Sequence, residues 1–252
     1  MTIRAVLIGA AVGLTFSSLA ARAQMIHGGP GPSASMGEMG EDQQVWVHGI
    51  LDQFEARVAS GNTSLRWQGE AWLGNDDYRI RLKSEGERTT SGVVTDGQQE
   101  IYYARPVSPF FDIQIGARYD LDSLRGRGWG AFGIEGLAPY FIHVAATAYV
   151  GGGGHAAAKF EGYYDLLITQ RLILQPQVEL NLYTNNDPAR RIGAGFSDMD
   201  AGLRLRYEIS RKFAPYVGMS YTHKFGQTGR YAVAAGEDRG SLRFTTGIRV
   251  WF

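Results

Sequence analysis

The chain contains no cysteine, which removes disulfides and thiolate metal ligands together. It also lacks a dominant charge, since 25 Lys and Arg balance 25 Asp and Glu. That balance argues against nucleic acid as a partner. Beyond residue 23 there is no second long apolar run. Arg, Asp or Glu recur too often for a helical membrane span, which needs about 20 consecutive apolar residues.

What is present begins with a secretory leader. Arg4 supplies the positive start, Ala5 to Leu19 the apolar stretch, and Ala21-Arg22-Ala23 an A-x-A cleavage site before Gln24. The apolar stretch is about 15 residues, short for a membrane helix. A cleaved signal peptide over 1–23 is therefore expected, with an uncleaved anchor as the alternative. Without Arg4 and Arg22 the mature chain carries 23 basic against 25 acidic residues, net −2.

From 24 to 42 the composition changes. Met25, His27, Met36 and Met39 stand among glycine, proline and serine with no periodicity, so this stretch reads as a flexible periplasmic tail. Thioether sulfur suits Cu(I), and imidazole serves either oxidation state of copper. The four residues are thus candidate metal ligands, against the alternative of a plain leader in which methionine is incidental.

From 43 to 252 the texture is regular. The last segment places Leu242, Phe244, Thr246, Ile248, Val250 and Phe252 on one face, and Arg243, Thr245, Gly247, Arg249 and Trp251 on the other. A final strand with one apolar face, one polar face and a terminal aromatic suits an outer-membrane barrel, where it must pair with the first strand to remove all edges. Alternation and turn chemistry mark twelve such segments: 44–58, 63–74, 77–86, 97–106, 109–121, 127–137, 140–150, 156–169, 171–185, 198–210, 213–225 and 240–252. Tight connections alternate with longer ones rich in Gly or charge, as a barrel with both termini in the periplasm requires. The expected fold is all-β: a closed antiparallel transmembrane β-barrel of about twelve strands in the outer membrane. A soluble β-sandwich or lipocalin-like barrel is the competing fold, because alternation alone does not say which face is inside.

Pro109, Pro139 and Pro215 each begin an odd-numbered segment beside an aromatic, where the missing N–H costs least. Pro176 interrupts the ninth segment and is read as a bulge. The alternation directs Leu203, Leu205, Tyr207 and Ile209 to lipid and Arg204, Arg206 and Glu208 inward. Lys159, Glu161, Tyr163 and Asp165, Arg79, Arg81, Lys83 and Glu85, and Asp112, Gln114, Arg118 and Asp120 also point inward. A lumen with charges of both signs is either a structural ion-pair lattice or a polar path for a small charged solute. His48, near the periplasmic start of the first strand, could join a tail-bound metal. His143, inward on the seventh segment, is a candidate metal ligand on a path through the lumen, with a hydrogen-bonded lumen residue that meets Glu135 or Asp165 as the alternative. His155 and His223 read as ordinary solvent-side residues.

Several runs resemble the copper-resistance protein B family. They include Leu51-Asp52-Gln53, Gly69-Glu70-Ala71-Trp72-Leu73-Gly74, the stretch from Tyr164 to Pro176, Ala201-Gly202-Leu203-Arg204-Leu205-Arg206-Tyr207, and the ending Val250-Trp251-Phe252. The similarity extends in order from about residue 43 to the end. It implies an outer-membrane protein that binds copper ions, Cu(I) or Cu(II), and assists their sequestration or movement across the outer membrane. It also implies periplasmic copper oxidases or copper carriers as partners. Family tails often carry many Met-x-x-Met units, whereas here a single Met36-x-x-Met39 pair remains. A structural or small-solute barrel without metal specificity is the alternative. Enzymatic activity is not expected: Ser220 and His143 both point inward, but no spacing brings them together.

Overall fold

Period-two alternation becomes a wall of strands whose two faces are chemically opposite. The computed structural model describes residues 45–59, 62–90, 92, 94–121 and 126–252. The expected signal peptide (1–23), the tail (24–42) and its residues Met25, His27, Met36 and Met39 lie outside the described residues. The strands are β1 (Trp46–Ala59), β2 (Asn62–Gly74), β3 (Arg79–Thr89), β4 (Val94–Ser108), β5 (Phe111–Asp120), β6 (Arg127–Ala138), β7 (Ile142–Gly151), β8 (Ala156–Tyr163), β9 (Leu166–Leu167), β10 (Leu172–Tyr183), β11 (Gly195–Tyr207), β12 (Phe213–Lys224) and β13 (Gly240–Trp251). β8 and β9 both pair with β10 and are two pieces of one wall strand, so the wall has twelve. Every pairing is antiparallel, and β1 pairs with β13 to close the barrel. At the seam the Phe252 amide donates to the Gly49 carbonyl at 2.9 Å, so the terminal aromatic extends the closing ladder.

The wall is inside-out relative to a soluble protein. Ile115 and Phe244 are 61% and 63% exposed on the outer surface, while Glu55 and Arg204 inside are 1% and 2% exposed. A large exposed apolar belt around a charged interior is stable only where the belt meets lipid. This rules out the soluble alternative, in which apolar side chains would fill the centre. No described helix is long and apolar enough to cross a membrane.

The tight connections and the outward ends of β1 and β13 share one end of the barrel, called here the turn end. The longer connections share the opposite, loop end. Four details depart from the sequence expectation. First, Pro176 makes no bulge: β10 keeps unbroken register there, Pro176 facing Leu203. On its other side the wall strand is interrupted between Tyr163 and Leu166, although Tyr164 still donates to the Pro176 carbonyl at 3.1 Å. The proline's missing N–H is thus absorbed by a gap in the ladder. Second, Pro139 does not start a strand. It opens a 3₁₀ turn, Pro139–Phe141, in which Tyr140 and Phe141 adopt left-handed φ of 66° and 62° and project outward, 85% and 74% exposed. Third, Pro109 lies in a turn before β5 begins at Phe111. Pro215 does sit within a strand start: it faces Ile248 on β13, while pairing to β11 ends at Tyr216. Fourth, the long last connection contains a helix, α1 (Gly226–Ala234), where the sequence pattern predicts only a loop between segments. Buried Thr228 of α1 accepts from the Gly193 amide at 2.8 Å and bonds Ser197 Oγ at 3.0 Å, fastening the helix to the neighbouring outer loop.

Candidate functional site

The inward faces of the strands meet across the bore, and alternation places one charged or amide side chain on nearly every inward position. At the level of β1 and β11, Glu55 is the hub. Arg57 donates to it at 2.7 Å, Arg204 at 2.8 and 2.9 Å, and the Tyr216 hydroxyl at 3.0 Å. Arg57 also reaches Asp200 at 2.8 Å, and Arg204 reaches Gln53 at 3.0 Å. Two interactions span a wider distance. Arg66 on β2 donates to Glu179 on β10 at 3.0 Å. Lys159 on β8 donates to Glu85 on β3 at 2.6 Å. Lys159 Nζ also stands 3.3 Å from Glu161 and 3.7 Å from Glu179. The oxygens of Glu85, Glu161 and Glu179 converge within 4.8 Å of one another, and the ammonium of Lys159 supplies their positive charge. A buried charge is tolerated only when paired in this way, and such pairs specify one arrangement more than they add net stability.

Toward the turn end the bore widens into a vestibule of about 640 Å³. Its mouth is formed by turn residues such as Asp76, Ser108 and Pro109, and its inner end by Glu85, Lys159 and Glu179. Nine carboxylate side chains line it against five from Lys or Arg. Along one wall Asp112 bridges Arg79 and Arg81, each at 3.1 Å, while Glu135 takes Arg81 at 2.9 Å and Lys83 at 2.7 Å. On another, Arg249 holds Asp52 at 2.8 Å.

His143 is on the vestibule wall, its ring stacked on that of Tyr163 with centroids 4.4 Å apart and planes 4° apart. It sits beside Glu135 in the strand register, since Glu135 faces Ala145 and Leu137 faces His143. His48 faces Trp72 across β1 and β2, ring centroids 4.6 Å apart, and is not among the vestibule residues. The two histidines therefore share the turn end of the barrel but not one cluster. The expected partner Asp165 is engaged elsewhere, accepting from Arg206 at 3.1 Å and from Gln175 at 2.9 Å. His223 is not simply solvent-side: it packs on the outer surface between Tyr221 and Phe225, at the level of an aromatic girdle.

The candidate ligand atoms lining the vestibule are oxygens and one imidazole. Met199 and Met219, the two methionines among the described residues, fall on the outward phase of β11 and β12; Met219 is 44% exposed. The vestibule thus offers hard and borderline ligands, and apart from these two outward-phase methionines soft thioether sulfur is found in Met25, Met36 and Met39 of the N-terminal stretch beyond the initiator. Alternation identified most of the lumen charges, but not that Arg66, Glu85, Lys159 and Glu179 meet. That partnership depends on which strands oppose each other across a closed barrel, which no local pattern encodes.

A family model described as "Copper resistance protein B precursor (CopB)" matches residues 45–252. The chain belongs to the copper resistance protein B family. Two of its relatives show the same extent of likeness. The "Copper resistance protein B homolog" of Pseudomonas syringae pv. tomato is 40% identical over 216 residues, 86% of this chain and 73% of the relative. The "Copper resistance protein B" of Escherichia coli is 40% identical over 203 residues, 81% of this chain and 68% of the relative. Membership supports a role in copper resistance for this chain. Among solved structures, the NanC porin superposes with a TM-score of 0.54 at 15% identity, over 81% of this chain and 99% of the porin. That is a likeness of fold alone, a closed antiparallel β-barrel of the porin type.

Proposed function

We propose that the barrel receives copper ions as Cu(II) in its turn-end vestibule, and that this capture serves their sequestration or movement across the outer membrane. The observation that carries the reading is the vestibule itself: a 640 Å³ cavity with an excess of carboxylates, one imidazole on its wall and no methionine. Carboxylate oxygen and imidazole nitrogen suit Cu(II), whereas Cu(I) prefers sulfur. The excess negative charge also concentrates cations at the mouth. In barrels of this type the short turns face the periplasm, so the vestibule and the N-terminal tail are assigned to that side.

Within this reading His143 is the nitrogen ligand, with Glu135 and Glu161 as acidic neighbours at the same diagonal offset on its two flanking strands. Met25, His27, Met36 and Met39 form a separate, softer capture segment able to hold Cu(I), and His48 lies near the start of β1, next along the chain. A periplasmic copper oxidase or copper carrier would present its cargo at the same mouth. The reading is non-enzymatic: Ser220, the inward hydroxyl that a nucleophile would require, is fully buried and has no hydrogen-bond partner among the described residues.

The experiment is a titration of the refolded protein in detergent with Cu(II), and with Cu(I) under reducing conditions, using the intact chain and one lacking residues 24–42. The proposal expects Cu(II) binding to survive the deletion and Cu(I) binding to be lost with it. If the deletion abolishes both, the barrel is only an anchor for the tail. If neither form binds copper, a structural barrel is the better account.

A further inference from the structure

The strands that carry Arg66 and Glu179 are not neighbours. Between β2 and β10 stand four strands by the shorter way round the wall, and four also separate β3 from β8, which carry Glu85 and Lys159. A 3.0 Å contact from β2 to β10 and a 2.6 Å contact from β3 to β8 therefore cross the bore rather than follow its wall. The two crossings join where Lys159 Nζ lies 3.7 Å from Glu179. The four side chains are buried, Lys159 to 3% exposure, and three of them, Glu85, Lys159 and Glu179, line the inner end of the vestibule.

We propose that Arg66, Glu179, Lys159 and Glu85 form a transverse bar that closes the lumen to ions at this level, and that Lys159 is its removable element. An entering cation meets an ammonium group already seated on the carboxylates, and an entering anion meets the carboxylates themselves. The two cations in the bar are not equivalent. The Arg66 guanidinium is a planar fork, whereas the Lys159 ammonium is a point charge on a flexible four-carbon stem, able to swing off its carboxylates without breaking the wall. Loss of its charge leaves the carboxylates of Glu85, Glu161 and Glu179 facing one another, Glu179 still held by Arg66, and this excess of negative charge draws mobile cations into the gap and makes the opened path cation-selective. The inference concerns the barrier and holds whether or not the cargo is copper.

The test is ion conductance of the full mature chain in planar bilayers bathed in potassium chloride, with folding verified beforehand by heat-modifiable gel migration. The unsubstituted protein is expected to show no sustained conductance steps. Lys159→Met is expected to introduce discrete steps with a reversal potential shifted toward that of potassium, and Lys159→Arg to remain closed. If Lys159→Met does not fold, Lys159→Gln takes its place. A folded Lys159→Met or Lys159→Gln barrel that stays closed would overturn the assignment of Lys159. Sustained open-pore current through the unsubstituted chain would overturn the bar itself. Because potassium is the only probe cation, a failure here is distinct from a failure to bind copper.

Discussion

Arg66 and Glu179 lie 3.0 Å apart although four strands separate them on the shorter way round the barrel. The pair shows how the lumen is organised. Side chains do not line an open tube; they reach across it and bind the opposite wall. The lattice holds the barrel together in its middle and leaves a vestibule at the turn end, so the ion-pair lattice and the proposed copper site lie at different heights.

The hub at Glu55 makes the lattice testable. Arg204→Met removes its two hydrogen bonds to Glu55 and one to Gln53. Breaking a buried ion pair typically costs about 3–5 kcal/mol. The lower end, about 3 kcal/mol, is expected because Arg57 and Tyr216 still contact Glu55. Urea unfolding followed by tryptophan fluorescence measures it. Adding Glu55→Gln should restore part of the loss, since the charge left behind would then be gone. Copper binding in the vestibule should change less than stability.

Gly116 tests how closely the wall is packed. A Cβ there would lie 1.9 Å from the Ile101 carbonyl oxygen and 2.8 Å from the Tyr102 ring, which is itself buried. Gly116→Ala is therefore expected to destabilise the barrel by about 1–3 kcal/mol, the usual cost of overpacking. The same unfolding assay reads it. An unchanged midpoint would mean that β4 and β5 separate more easily than their register implies.

The loop end should respond to acid. Glu237, beyond α1, accepts from Lys224 at 2.7 Å and from Arg191 at 2.9 Å. The hydrogen bond from Lys224 holds its carboxyl below the usual carboxylate range, against a smaller opposing effect of burial. Its folded pKa is depressed, so the stabilisation is complete above the unfolded carboxylate value and is lost as pH falls through the folded one. Glu237 is half exposed, so solvent screening limits the effect to about 1 kcal/mol or less. A spin label on Ala235→Cys, free of background because the chain has no cysteine, should gain mobility below about pH 4. In a Glu237→Gln background the label should be mobile at every pH.

Much of this architecture was readable from residue order. The alternation in 198–210 and 240–252 fixed which residues face inward, and the structure keeps Arg204, Arg206, Arg243 and Arg249 inside, as that pattern required. The ends of elements were less legible. The turn at Pro139–Phe141 places two aromatic residues at positive φ, which no propensity favours, so the seventh segment was extended too far. The α1 helix has no capping side chain and little apolar periodicity; contacts from Thr228 to Gly193 and Ser197 hold it instead. His143 was legible as an inward residue, but its stacking on Tyr163 and the engagement of Asp165 by Arg206 and Gln175 depend on which strands became neighbours.

The measurement that bears most directly on the central claim is electron paramagnetic resonance of Cu(II) added to the barrel lacking residues 24–42, with and without His143→Ala. The account predicts a bound Cu(II) signal with nitrogen coupling in the parent. In His143→Ala that coupling should disappear and the affinity fall by about tenfold or more, while the unfolding midpoint stays put. A Cu(II) signal without nitrogen coupling, or one that His143→Ala leaves unchanged, would contradict a copper site on the vestibule wall.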